Sequence, residues 1–140
     1  MTPAQALQAA LSGEHAAVYV YGVLAAQTSR SAEPVLFGLL DAAHSSHRTQ
    51  RDRLIDLIGR LGATPNASAV SYDLPNDAAT PAKVRAAAEV TEQRCVDLYG
   101  QSVEHTVGAQ RAWAIAALSA GAVRLVDLGA AADQFPGLSD

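Results

Sequence analysis

The sequence predicts an all-α domain, an up-down-down-up four-helix bundle with a long crossover between helices 2 and 3. Three observations carry that reading. Thirty of the 140 residues are alanine and only 5% are aromatic. Alanine is the best helix former and lets helix axes approach closely, so this composition favours helix-on-helix packing. Apolar residues recur at spacings of three and four through four separate stretches, the pattern of amphipathic helices. The connections between those stretches are unequal in length, and that inequality sets the topology. The length suits one domain, residues 1–140.

Helix 1 opens at Thr2-Pro3-Ala4-Gln5. Thr2 can cap, Pro3 suits the first helical position, and Gln5 stands where a capping box wants it. Leu7, Leu11, Glu14, Val18, Tyr21, Ala25 and Thr28 form one stripe, and the helix is expected to end near Ser29. Helix 2 follows a short turn and runs from Pro34 to about Leu61, stopped by Gly59 and Gly62. Its core stripe passes through Leu36, Leu40, Ala43, His47, Gln50, Leu54 and Leu57; the neighbouring one passes through Phe37, Asp41, His44, Arg48, Arg51 and Ile55. Both are apolar at the ends and polar in the middle. Residues 62–80 contain Pro65, Asn66, Pro75 and Asn76 and read as irregular chain. Thr80-Pro81 restarts a helix, with Val84, Ala88, Thr91, Cys95 and Leu98 on one stripe and Arg85, Glu89, Glu92, Val96 and Tyr99 beside it. A turn near residues 104–108 leads to helix 4, about Ala109 to Ala130, and Phe135-Pro136-Gly137-Leu138 reads as a cap that packs back.

The 1–2 and 3–4 connections are short, so each pair is antiparallel. The 2–3 connection of about nineteen residues reaches about 60 Å when extended. A helix of about 28 residues is about 42 Å long. The connection can therefore run the length of the bundle and make helices 2 and 3 parallel.

Several function classes are disfavoured. Net charge is −4 and no basic run is present, so a nucleic-acid surface is not expected. The longest apolar stretch, Ala112 to Val123, is bounded by Arg111 and Arg124 and is too short to span a bilayer. The first fifteen residues hold no basic segment of a secretory signal, and one cysteine, Cys95, excludes an internal disulfide. A cytoplasmic location is the expectation. No phosphate loop, dinucleotide fingerprint or nucleophile triad spacing is visible.

The chemistry gathers at mid-bundle. Glu14 lies on an apolar stripe, and a buried carboxylate is costly unless paired or metal-bound. Folding helix 2 back about residues 31 and 32 sets Glu14 level with His47 to Arg51; folding about residue 106 sets Glu92 near Ala120 and Glu89 near Val123 and Arg124. Di-iron bundles place one Glu on each of two helices and a Glu-x-x-His on each of the other two. Here Glu14 fits the first, and Glu89 or Glu92 the second. Helix 2 offers only Asp41-x-x-His44 and His44-x-x-His47, and no Glu or His occurs after His105. An interior network of Glu14, Tyr21, His47, Arg48, Arg51, Glu89, Glu92 and Arg124 is therefore expected in place of a metal pair. The alternative is a mononuclear or asymmetric di-iron-like iron or manganese site from Glu14, His44, His47 and Glu92, with oxidase or metal-storage chemistry. A third reading is a small anionic ligand held by Tyr21, His47, Arg51 and the crossover. His15 and His105 read as surface residues, Cys95 as apolar packing, and Trp113 as core or subunit interface.

Four motifs carry a resemblance. They are Glu14-His15-Ala16-Ala17-Val18-Tyr19-Val20-Tyr21-Gly22, His47-Arg48-x-x-Arg51-Asp52, Tyr72-Asp73-Leu74-Pro75 and Phe135-Pro136-Gly137. Together they resemble an actinobacterial ferritin-like domain family of unknown function. The resemblance implies a ferritin-like fold, supplies no catalytic residues, and maps Glu14 and His47 to the bundle interior. The combined expectation is a non-enzymatic structural or interaction module, without cofactor, that forms a homodimer.

Overall fold

The computed structural model describes residues 1–138. It contains α1 (Pro3–Ala26), α2 (Pro34–Arg60), α3 (Pro81–His105) and α4 (Gly108–Asp127), with no strand among the described residues. Local chemistry sets the ends. The Thr2 hydroxyl accepts from the Gln5 amide while the Gln5 side chain accepts from the Thr2 amide, a complete capping box. Thr80 caps α3 by accepting from the Lys83 amide, and Pro34 and Pro81 occupy the first helical positions of α2 and α3. The chain turns at Gly62 with φ 77°, a left-handed value that glycine adopts without strain. α1 and α4 each end about three residues earlier than the sequence predicts.

α1 packs along α2 and α3, α4 packs along α3 and more loosely along α2, and α2 and α3 lie on a diagonal. This is the up-down-down-up arrangement. Leu7, Leu11, Leu54 and Ile58 fill one end of the interior. Leu24, Leu36, Leu40, Val84 and Leu128 fill the other. No described helix is long and apolar enough to cross a membrane.

The crossover lies on α1 and is tied down by α1 side chains. Gln8 donates Nε2–H to the Thr64 carbonyl at 2.7 Å and accepts from the Asn66 amide at 2.9 Å. His15 Nε2 lies 2.9 Å from the Asn66 carbonyl oxygen, and Tyr19 packs on Tyr72 with centroids 5.8 Å apart. His15 is consequently only 8% exposed, a correction to its reading as a surface residue. The tail does pack back: a Cβ at Gly100 would stand 2.3 Å from the Gly137 carbonyl oxygen, so backbone meets backbone there.

The Gln8 clamp is testable. Gln8→Ala removes two hydrogen bonds and is expected to cost about 1–3 kcal/mol. Limited proteolysis should then cut within residues 62–80 several times faster, with helix content by circular dichroism unchanged.

Candidate functional site

At mid-bundle each of three helices contributes at least one fully buried polar side chain: Glu14 and Tyr21 from α1, His47 from α2, Glu92 and Tyr99 from α3. His47 is the hub. Nδ1 lies 2.7 Å from Glu14 Oε2 and Nε2 lies 3.0 Å from Glu92 Oε2. Tyr21 donates to Glu92 Oε2 at 2.6 Å, Tyr99 donates to Glu14 Oε1, and Arg124 of α4 donates Nε–H to Glu92 Oε1 at 2.9 Å. All four carboxylate oxygens thus accept from donors of this chain. The Tyr21 ring stacks on the His47 imidazole, with centroids 5.1 Å apart and planes 19° from parallel.

The arrangement has an internal symmetry that follows from the sequence. Glu14 and Tyr21 are seven residues apart on α1; Glu92 and Tyr99 are seven apart on α3. Residues seven apart lie on one helix face. Because α1 and α3 run antiparallel, each tyrosine meets the other helix's glutamate, and His47 bridges the two. Arg124 breaks the symmetry on the Glu92 side. On the other side Trp113 meets Tyr99 edge-on at 5.8 Å and donates to Gln50 at 2.7 Å.

Burial disfavours the imidazolium, but the hydrogen bonds and charges of Glu14 and Glu92 outweigh it and lift His47 to about 9. Burial also works against the Glu92 carboxylate; His47, Arg124 and Tyr21 outweigh it and hold Glu92 below its usual range. Burial raises both Tyr21 and Tyr99, and neighbouring carboxylates add to the shift, so both phenols keep their protons. Two carboxylates therefore face two cations, His47 and Arg124.

Other expected members lie elsewhere. Arg48 is exposed, and Arg51 is half-buried on the outer side of α2, where it forks Asp52 at 2.9 Å. Both belong to the stripe next to the core stripe, and the long guanidinium arms turn to water and to Asp52 rather than inward. Glu89 is half-buried, near Gly129 instead of Arg124. The cause is the α3–α4 connection. Thr106 and Val107 are extended, and at about 3.3 Å per residue they carry the chain past the end of α3. α4 must climb about one turn before it draws level, so Glu92 meets Arg124 instead of Ala120. His44 is half-buried and packs over Gly22, away from the centre. Burial and the Arg48 charge keep His44 below its usual range, whereas Asp41 partly opposes them. His105 is half-exposed, beside Glu104. The expected ligand pocket divides. Tyr21 and His47 are sealed in the interior, whereas Arg51 borders a groove of about 490 Å³ with His15, Tyr19, Asp52 and Ser68.

Tyr99 is the member that the sequence reading left out, although its spacing from Glu92 placed it on the same face. Cys95 is buried as expected, but it belongs to the centre: ligand atoms of Glu14, His47 and Cys95 lie within 4.8 Å of one another. Burial, with Glu14 and Glu92 nearby, raises the thiol well above its usual range. A groove of about 300 Å³ bounded by Gly13, Ala16, Tyr72, Thr91 and Arg94 reaches Cys95 from outside.

The donor set does not fit a di-metal pair. The two α4 positions that face Glu92 are Gly121 and Arg124, where a carboxylate and a histidine would be needed. A Cβ at Gly121 would stand 2.8 Å from Val96 Cγ2 and 3.2 Å from Glu92 Oε1. There is no room for a carboxylate from α4, and a guanidinium occupies the space beside it.

Fold and site together define a ferritin-like four-helix bundle with a buried polar centre. The chain belongs to the family described as a domain of unknown function, DUF4439, which it matches over residues 6–140. Among solved structures it is similar to a conserved hypothetical protein, rv2844, from Mycobacterium tuberculosis. The identity is 29% and the TM-score 0.81, covering 90% of this chain and 87% of that one. It is also similar to a ferritin-like, diiron-carboxylate protein from Bacillus anthracis str. Ames. There the identity is 18% and the TM-score 0.76, covering 90% and 91%. No curated protein matches it.

The raised His47 value has a consequence. Its contribution to stability is complete below the unfolded value of 6.5 and disappears as pH rises through about 9. That interval corresponds to about 3 kcal/mol. Glu92 adds stability above its unfolded value of 4.5 that is lost in acid. Thermal unfolding should therefore peak between about pH 5 and 6.5 and fall towards pH 9. His47→Gln should flatten the alkaline limb.

Proposed function

We propose that this chain is a non-enzymatic ferritin-like bundle, a structural or interaction module whose centre is closed by its own Glu–His–Arg–Tyr network. One observation carries the reading: every oxygen of Glu14 and Glu92 already accepts from a Tyr, His or Arg of this chain. Two protein cations balance two carboxylates in the place where di-iron bundles hold two metal ions. Taking two charges out of water is itself costly, so such a pair persists only where geometry and hydrogen bonds are good. Removing one member is costly because its partner is left buried and uncompensated.

The test joins stability to metal content. Glu14→Gln in metal-free buffer is expected to cost about 3–5 kcal/mol of unfolding free energy. Protein purified from cells grown with added iron and manganese is expected to carry neither in stoichiometric amount. Stoichiometric metal that vanishes in Glu14→Ala would sink the proposal.

A second reading rests on the cluster of Glu14, His47 and Cys95. Mixed sulfur, nitrogen and oxygen donors suit one zinc ion. Glu92 would then orient His47 through Nε2, as carboxylates behind metal-bound histidines do. His44 lies outside this set. Zinc titration separates the readings: tight one-to-one binding that Cys95→Ser abolishes favours this second one, and weak binding indifferent to Cys95 favours the first.

A further inference from the structure

The outward face of α4 differs from those of its neighbours. α2 exposes Asp41, Arg48, Asp52, Arg53, Asp56 and Arg60, and α3 exposes Lys83, Arg94, Asp97 and Glu104. Between Arg111 and Asp127 the outward face of α4 carries no charge; Arg124 turns inward. Ile115, Val123 and Val126 are 49%, 61% and 47% exposed. Ala112, Ala116 and Ser119 are exposed between them. Ser119 donates its hydroxyl to the Ile115 carbonyl at 2.9 Å, so its one proton is satisfied within its own helix. A continuous apolar stripe of this kind marks an interaction surface.

The charges at its ends identify the occupant. Arg111 sits in the first turn of α4 and Asp127 is its last residue. Both oppose their own helix dipole, which favours anions at the N-terminus and cations at the C-terminus; within the chain Arg111 donates Nε–H to the Val103 carbonyl of α3 at 3.0 Å, and Arg85 donates to the Leu128 carbonyl at 3.1 Å. A second α4 laid antiparallel corrects both, because each charge then lies beside the opposite end of the other helix. The stripe is also symmetric about Ser119. Ile115 stands as far before it as Val123 stands after, and so do Ala112 and Val126, and Arg111 and Asp127. A two-fold axis through Ser119 therefore sets Ile115 level with Val123 of the second copy and the cationic end level with the anionic end. A parallel pairing would set like charges level.

We propose that this face is the seam of a homodimer in which α4 packs antiparallel on α4 of a second copy about Ser119. Alanine and serine at the centre let the axes approach to the short end of the usual 8–10 Å range, with Ile115, Val123 and Val126 filling the flanks. The interface is isologous and closes at two copies. It lies on the side of α4 away from the buried network and does not depend on what that network holds.

Sedimentation velocity over a concentration series tests the association, and a dimer is expected. Ser119→Cys should oxidise to a disulfide-linked dimer, because the axis brings the two sulfurs together, whereas Val70→Cys on the exposed crossover should not. Ser119→Arg should give a monomer with unchanged circular dichroism whose melting temperature no longer depends on protein concentration. Arg111→Asp should weaken association about tenfold, and adding Asp127→Arg should restore it. A wild-type monomer throughout the series overturns the proposal. So does a dimer indifferent to Ser119→Arg, cross-linking through Val70→Cys and not Ser119→Cys, or failure of the second charge reversal to restore association.

Discussion

A single imidazole holds two carboxylates together across the bundle. His47 on α2 reaches Glu14 on α1 with one ring nitrogen and Glu92 on α3 with the other. All three side chains are 0% exposed. A buried carboxylate without a partner is costly, so the three helices are not free to slide. Shifting any one of them by a turn would strand two ionised groups among Leu, Val and Ala. Apolar contacts between Ala-rich faces resist such a shift weakly, because one small side chain replaces another. The polar centre therefore supplies the register that the alanine-rich packing does not.

The same centre explains why the chain needs its crossover. Glu14 with Tyr21, and Glu92 with Tyr99, are the same pair at the same spacing. They interlock only if α1 and α3 are antiparallel and adjacent. Antiparallel neighbours joined directly would make α1–α2–α3 a simple meander, with α3 parallel to α1. Residues 61–80 instead carry the chain back along the bundle so that α3 starts at the end where α1 finishes. The clamp on α1 through Gln8, His15 and Tyr19 orders this long connection, and it keeps His15 out of the site although His15 is next to Glu14 in sequence.

The fold was legible because it rests on signals local to the sequence: capping residues, a stripe of apolar positions per helix, and the length of one connection. The site was legible where it lay on core stripes, as with Glu14, His47 and Glu92. Arg48 and Arg51 misled because they sit one position round the helix, and a long side chain at such a boundary turns to water or to a local partner such as Asp52. Glu89 misled because the level of α4 against α3 depends on the backbone of two residues, Thr106 and Val107. No periodicity reports that conformation. The Glu-x6-Tyr repeat that calls for Tyr99 was visible, but its meaning required knowing that α1 and α3 cross their partners.

The mismatch with a di-metal donor set lies in packing as well as in donor identity. Restoring a carboxylate at Gly121 would drive its Cβ into Val96 before any ligand geometry arose. Replacing Arg124 with a neutral residue would leave Glu92 with only His47 and the Tyr21 hydroxyl to balance its charge. The first change also requires Val96 to move. Gly121 also lets α4 lie close against α3, since Tyr99 Cε2 lies 3.5 Å from the position of a Cβ there. The close approach that admits Arg124 to Glu92 is thus the same one that excludes a carboxylate from α4. A guanidinium at that distance is a positive charge that stays when His47 loses its proton through about pH 9, so part of the electrostatic balance of the centre belongs to the packing itself.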